Sequence, residues 1–185
     1  EFLGPYPHRW QDLLEPLLAY AAHHSFWQRA PRTAHQQILV RLSGKSKPIV
    51  YHDLVDNQET VRPSALLRAD IAAIQRSLAS LGVTSGDRVA IVGPNHSRYF
   101  CLLVACGLSG VVVVPLYSTS PPSEIQFLLQ DSHPKLFLVG SPEVLERLDE
   151  IHFDQPVVSF SPFAPPVQTR RHVIAWDDFL TKGDS

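Results

Sequence analysis

Two short polar turns carry most of the residues in this chain that could do chemistry. Gly93-Pro94-Asn95-His96-Ser97 follows the apolar run Val89-Ala90-Ile91-Val92, and Tyr117-Ser118-Thr119-Ser120 follows Val111 to Val114. An amide and an imidazole in the first, and a phenol with three hydroxyls in the second, can hydrogen-bond phosphate or carboxylate oxygens. Asn95, His96, Tyr117 and Ser118 are therefore the candidate substrate-binding residues, at the edge of a ligand cleft. Neither turn is a phosphate loop. The first lacks the glycines of G-x-G-x-x-G, and no lysine follows the second as G-x-x-x-x-G-K-[ST] requires. Capping of the following helix is the competing reading for Asn95 and for the hydroxyls of the second turn. Asn95-His96-Ser97 also spells a glycosylation acceptor, which a tight strand-to-helix turn makes a chance match.

Other constellations are incomplete. Gly107-Leu108-Ser109-Gly110 is one residue short of the G-x-S-x-G nucleophile elbow and falls at the wrong end of a helix. Of nine histidines only His23 and His24 are close in sequence, and neighbours on a helix point in different directions, so no metal site is expected. Arg170-Arg171-His172 reads as a solvated loop, and Asp149-Glu150 and Asp177-Asp178 as surface charge. Cys101 and Cys106 are five apart in an apolar stretch, which suits neither a disulfide framework nor zinc; a reducing, cytoplasmic setting is the expectation.

Composition narrows the classes further. Among 185 residues, 16 Lys plus Arg stand against 18 Asp plus Glu, a net charge of −2 that offers no electrostatic grip on nucleic acid. With 44% hydrophobic and 18% charged residues the chain can bury a real core. It has no methionine and starts at Glu1, so a processed chain or an expressed piece is expected. Tyr99 to Ser123 carries no charge over a length near the roughly 20 residues a spanning helix needs. Gly107, Gly110, the β-branched Val111–Val114 and Pro115 break it, so it reads as a buried helix followed by a buried strand, and no transmembrane segment is expected.

The elements that must position the two turns follow from periodicity. Leu13, Leu14, Leu17, Leu18 and Ala21 mark one helix face near the start of the chain. Gln37–Leu42 and Ile49–Leu54 read as a hairpin around Ser43-Gly44, and Leu67, Ile71, Ile74, Leu78 and Leu81 as the core face of a helix over 64–81 that Gly82 stops. From Arg88, strands at 89–92, 111–114, 136–139 and 157–160 alternate with helices at 97–108, 122–130 and 142–150, the last two capped by Ser120 and Ser141. Such alternation predicts an α/β, doubly wound, mostly parallel sheet with helices on both faces. Ligands of such sheets bind beyond the carboxyl ends of the strands. A proline-rich linker from Ser161 and a terminal strand at Val173–Trp176 with a short polar helix complete the reading. The expected division is 1–62, a helix and hairpin region; 63–160, the sheet lobe; and 161–185, the linker and terminal elements.

Taken in order, the segments Leu81–Asn95, Gly107–Leu116 and Thr119–Ser132 resemble the adenylate-forming (AMP-binding) superfamily, nearest to the amino-terminal part of long-chain fatty acyl-CoA synthetases. Leu81-Gly82-Val83-Thr84-Ser85-Gly86-Asp87-Arg88-Val89-Ala90 through Pro94-Asn95 is similar to the Leu-Gly, Gly-Asp-Arg-Val-Ala and Pro-Asn signature. Gly107-Leu108-Ser109-Gly110-Val111 through Pro115-Leu116 is similar to Ala-Gly-Ala-Val-x-Val-Pro-Leu, with Ser109 in place of Ala. Thr119 to Ser132 resembles the helix that follows in fatty acyl-CoA ligases, and Tyr51-His52-Asp53-Leu54 resembles Tyr-x-Glu-Leu, with Asp for Glu.

The resemblance implies the amino-terminal subdomain of an acyl-CoA-synthetase-like fold. The parent would join a carboxylic acid to ATP with Mg2+, releasing pyrophosphate, and pass the acyl group to a thiol such as that of CoA. In that family the phosphate loop lies downstream of the matched region, so no catalytic residue carries over. The chain is expected to be inactive by itself, to hold no cofactor, to partner the remainder of its parent chain, and to self-associate through exposed apolar surface. The parent is expected in the cytoplasm or peripheral to a membrane. The competing readings are a piece of an assembly-line adenylation domain and a non-catalytic interaction module. A nucleotide-binding regulator or oxidoreductase is disfavoured by the missing glycine fingerprint.

Overall fold

In two short strands every side chain but the first residue of one is buried, and that decides the architecture. The computed structural model describes residues 32–44, 49–55, 57–161 and 169–184. By contact the chain divides into Glu1–Thr33 and Ala34–Ser185, and only the second unit is described below. Its elements are helix α1 (Ala34–Leu42), a hairpin of β1 (Val50–Val55) and β2 (Gln58–Pro63), α2 (Ser64–Ser80), β3 (Arg88–Val92), α3 (Ser97–Leu108), β4 (Val112–Leu116), α4 (Pro122–Ser132), β5 (Leu136–Val139), α5 (Pro142–Glu146), β6 (Val157–Ser159), β7 (Val173–Ile174) and α6 (Trp176–Thr181). Strands β3 to β7 form one parallel sheet in the order β4-β3-β5-β6-β7.

Successive side chains of a strand point to opposite faces, and here both faces are apolar. Val89 and Ile91 of β3, with Leu136 and Leu138 of β5, join Leu67, Ile71, Ile74 and Leu78 of α2 and Leu102 and Ala105 of α3 in one core. Ala90, Val92, Phe137 and Val139 point the other way, into a second core with Ile125 and Leu129 of α4 and Val144 and Leu145 of α5. The sheet is doubly wound. From β3 the chain steps to β4 through α3, then returns past β3 to β5 through α4 on the other face. Right-handed crossovers in opposite directions require that placement.

Several boundaries depart from the sequence expectations. Residues 37–42 are not a strand; they belong to α1, which sets Ile38 and Leu42 on one face against the first core. A six-residue stretch with four apolar residues, Ile38, Leu39, Val40 and Leu42, satisfies either period, and packing decides. There, His35 lies against α3 so closely that a Cβ on Gly107 would come within 2.3 Å of its ring. The hairpin partner of β1 lies downstream: Val50 pairs with Pro63 and Val55 with Gln58, across a turn where Asn57 takes φ 60°. Asparagine tolerates that left-handed conformation. Strand β2 is polar and largely exposed, so no alternation announces it.

Ser120 does not cap α4; Pro121 stands at that position and makes no side-chain cap bond. Ser141 does cap α5, accepting the Val144 N–H at 3.4 Å, but α5 ends at Glu146 and a 3-10 turn follows at Leu148–Glu150. Trp176 begins α6 instead of ending a strand, burying itself and Phe179. Gly82, with φ 73°, ends α2 as expected, while Val83 N–H donates to Leu78 O. The helix expected near Leu13 and most of the proline-rich linker lie outside the described residues. No described helix is long and apolar enough to cross a membrane.

Candidate functional site

The pleat of β1 turns Asp53 inward between two exposed neighbours, His52 and Leu54, and leaves it only 3% accessible. A carboxylate so placed must find donors. Ser97, the first residue of α3, supplies two: its N–H donates to Oδ1 at 2.7 Å and its Oγ–H to Oδ2 at 2.6 Å. His96 Nε2 lies 3.2 Å from Oδ2. His96 is also the helix cap, because its Nδ1 accepts the Arg98 N–H at 3.2 Å. With Nδ1 accepting, Nε2 carries the proton and donates to Asp53. Burial draws the His96 pKa below its ordinary value; Asp53 opposes the shift, and the positive charges of Arg98 and Arg62 add to it.

Between the hairpin and this helix end lies a cleft of about 340 Å³, lined among others by Asp53, Thr60, Arg62, His96 and Arg98. Arg62 is ion-paired with Asp70 on α2. Arg98 Nη1 donates to Phe160 O at 3.3 Å and to Ser161 O at 2.8 Å, while its guanidinium stands 5.4 Å from the centre of the Trp176 ring. Burial is the leading cause of its lowered pKa. The arrangement is a clamp joining the hairpin to the carboxyl end of the sheet. Both His96 ring nitrogens are engaged, so in this geometry it orients and caps and is not a free base.

Strand order reverses between β3 and β5, which makes their carboxyl ends the switch point of a 2-1-3-4-5 sheet. The two loops meet there: Gly140 N–H donates to Val92 O at 2.7 Å. The Phe160 ring fills what remains. A Cβ on Gly93 would lie 2.7 Å from Phe160 Cζ, and one on Gly140 would lie 2.2 Å from Phe160 Cε2. Phe160 is wholly buried, with the Tyr99 ring centre at 6.1 Å and the Trp176 ring centre at 6.4 Å.

Of the four residues expected at a cleft edge, only His96 lines this cleft. Asn95 is exposed beside it and does not cap α3. Tyr117, 79% accessible, and Ser118 stand together beyond the end of β4. Asp53, Arg62 and Arg98 escaped the reading of the two turns. Asp53 alone carried a signal, as the acidic position of Tyr51-His52-Asp53-Leu54. A larger hollow of about 410 Å³, with His133, Lys135, His152 and Asp154 in its wall, sits at the amino ends of β5 and β6, away from the ligand-binding end of such a sheet.

The α3 terminus is a poor seat for a nucleoside triphosphate. The amino end of α3, where a phosphate would gain most from the helix dipole, is taken by the Asp53 carboxylate, and Pro94 has no N–H to offer. Among the described residues no group of three His, Cys, Asp or Glu side chains is placed to hold a metal ion.

Comparison with known proteins locates this architecture. The profile of a family described as AMP-binding enzyme matches residues 65–177. Feruloyl-CoA synthase of an Amycolatopsis species is 40% identical over 84 residues, 45% of this chain and 17% of that enzyme. The long-chain fatty acid–CoA ligase FadD13 of Mycobacterium tuberculosis is 37% identical over 65 residues, 35% of this chain and 13% of that enzyme. In each case the match spans less than a fifth of the relative. Among solved structures, the N-terminal domain of FACL13 from Mycobacterium tuberculosis aligns with a TM-score of 0.52 at 26% identity, over 69% of this chain and 30% of that one. The adenylation domain of a carboxylate reductase from Mycobacterium chelonae shares the fold, with a TM-score of 0.62 at 18% identity over 97% of this chain and 36% of that one.

Proposed function

Because the chain belongs to the AMP-binding enzyme family, we propose that it is the amino-terminal part of an ATP-dependent acid–thiol ligase of the acyl-CoA synthetase type. The parent forms an acyl-adenylate and pyrophosphate from a carboxylic acid and ATP, then transfers the acyl group to a thiol such as that of CoA. This chain supplies the sheet lobe, with Asn95, His96, Tyr117 and Ser118 along the edge of the substrate cleft and no catalytic residue of its own. The observation that carries the reading is the 40% and 37% identity to two enzymes named for acyl-CoA formation.

The test is pyrophosphate release by the purified 185-residue chain with ATP, Mg2+, CoA and either palmitate or ferulate. The expected rate is that of the protein-free control. Turnover above it overturns the assignment of catalysis to the rest of the parent. In a parent chain, Tyr117→Ala is expected to raise the KM for the acid with little change in kcat; an unchanged KM removes Tyr117 from the cleft edge.

A further inference from the structure

Strand β2 turns polar residues toward the cleft and its valine toward solvent. Gln58, Thr60 and Arg62 share the face that lines the cleft of about 340 Å³ at the amino end of α3, while Val61, on the opposite face, is 52% accessible. Strand residues alternate between faces, so a strand placed for its apolar contacts alone would sit the other way round.

What the polar face offers is donors. Neither the Gln58 amide nor the Thr60 hydroxyl hydrogen-bonds another described residue. Across the cleft, Arg98 uses only Nη1, on Phe160 O and Ser161 O, which leaves Nε and Nη2 without an acceptor among the described residues. Arg62 gives Nη2 to Asp70 and keeps a buried Nε with no acceptor. The one carboxylate of the wall, Asp53, is already held by Ser97 and His96. With two guanidiniums against that carboxylate and His96 neutral, the wall is net positive. A guanidinium edge presents Nε–H and Nη2–H in parallel and so matches two oxygens of one carboxylate or phosphate.

We propose that this cleft binds the oxyanion head of a small ligand, a carboxylate or a phosphate, on the Nε–Nη2 edge of Arg98, with Thr60 and Gln58 as further donors. The site does not rest on the ligase reading, and its failure would leave the expected pyrophosphate result unchanged.

An NMR titration of the full chain with sodium phosphate and, separately, sodium acetate, at an ionic strength held constant with chloride, tests it. The Arg98 Nε–H, the Gln58 side-chain amide and the Thr60 backbone amide are expected to shift saturably with a common dissociation constant. Thr60→Val removes one hydrogen bond to a charged group and should weaken binding about tenfold. Its melting temperature should stay nearly unchanged, because that hydroxyl makes no bond in the free chain. Arg98→Lys keeps the charge and loses the paired edge, so at least as large a loss is expected. Tighter binding of phosphate assigns the head to a phosphate and tighter binding of acetate to a carboxylate; either order upholds the site. Shifts that never saturate, or that chloride reproduces, are a salt effect and overturn it. Saturable binding that both variants leave unchanged, or that moves Lys135 and His152 but none of the three reporters, overturns it as well.

Discussion

Asp53 accepts hydrogen bonds from Ser97 N–H, Ser97 Oγ–H and His96 with almost no access to water, so its removal strands buried donors at the end of α3. Asp53→Ala is expected to lower unfolding stability by about 3 kcal/mol, and Ser97→Ala by about 1 to 2, measured by urea denaturation. Losses below half of these would mean that the clamp contributes little. His96 sets a pH dependence of its own. Its folded pKa lies below the ordinary value of 6.5, so between the two values the unfolded chain binds more protons and stability rises with pH. The contribution is complete above the unfolded value and is lost as pH falls below it toward the folded one. The urea midpoint should therefore drop between about pH 7.5 and pH 5.5, and His96→Asn should flatten that drop. An identical slope in the variant assigns the dependence to other groups.

At the scale of elements, two glycines pose opposite problems and predict different losses. Gly82 closes α2 at φ 73° with nothing within 4 Å of its Cβ position, so Gly82→Ala meets conformational strain alone and should cost about 1 kcal/mol globally. Gly107 sits in α3 with ordinary helical geometry, and a methyl there runs into the His35 ring of α1. The atoms it meets are the far end of the His35 side chain, so the ring swings aside and the α1–α3 contact, not α3, is what yields. Gly107→Ala should modestly lower hydrogen-exchange protection in Ala34–Leu42 while leaving α3 protected. Loss of protection in α3 itself would reverse the order of these elements.

For the molecule as a whole, Cys101 and Cys106 report on cooperativity. Both are buried in the core on the α2–α3 face, and burial pushes each thiol up to about 12. Thiolate is the reactive form, so near neutral pH both should be inert to a disulfide reagent in the native state and react fully in guanidinium. With α2 and α3 packed on one sheet face, exposure of either cysteine requires that layer to separate from the sheet. The two thiols should therefore label at one common rate, the rate of global opening. Faster labelling of Cys106 alone would reveal an independent opening near the end of α3.

Local pattern alone determined the strands β3 and β5, the limits of α3 and the winding of the sheet, because runs of buried residues flanked by helical periods leave few alternatives. The residues Leu81 to Ser132 also carried the family likeness, which sets the class of chemistry but no catalytic group. Only the tertiary structure decided that residues 37–42 are helical, that β1 pairs forward with a polar strand, and that His96 and not Asn95 caps α3. The physical reason is distance along the chain: Asp53 and Ser97 are 44 residues apart, and Phe160 reaches its glycines from beyond β6. A short apolar run or a polar turn is compatible with several local states, and contacts closed over such loops choose among them.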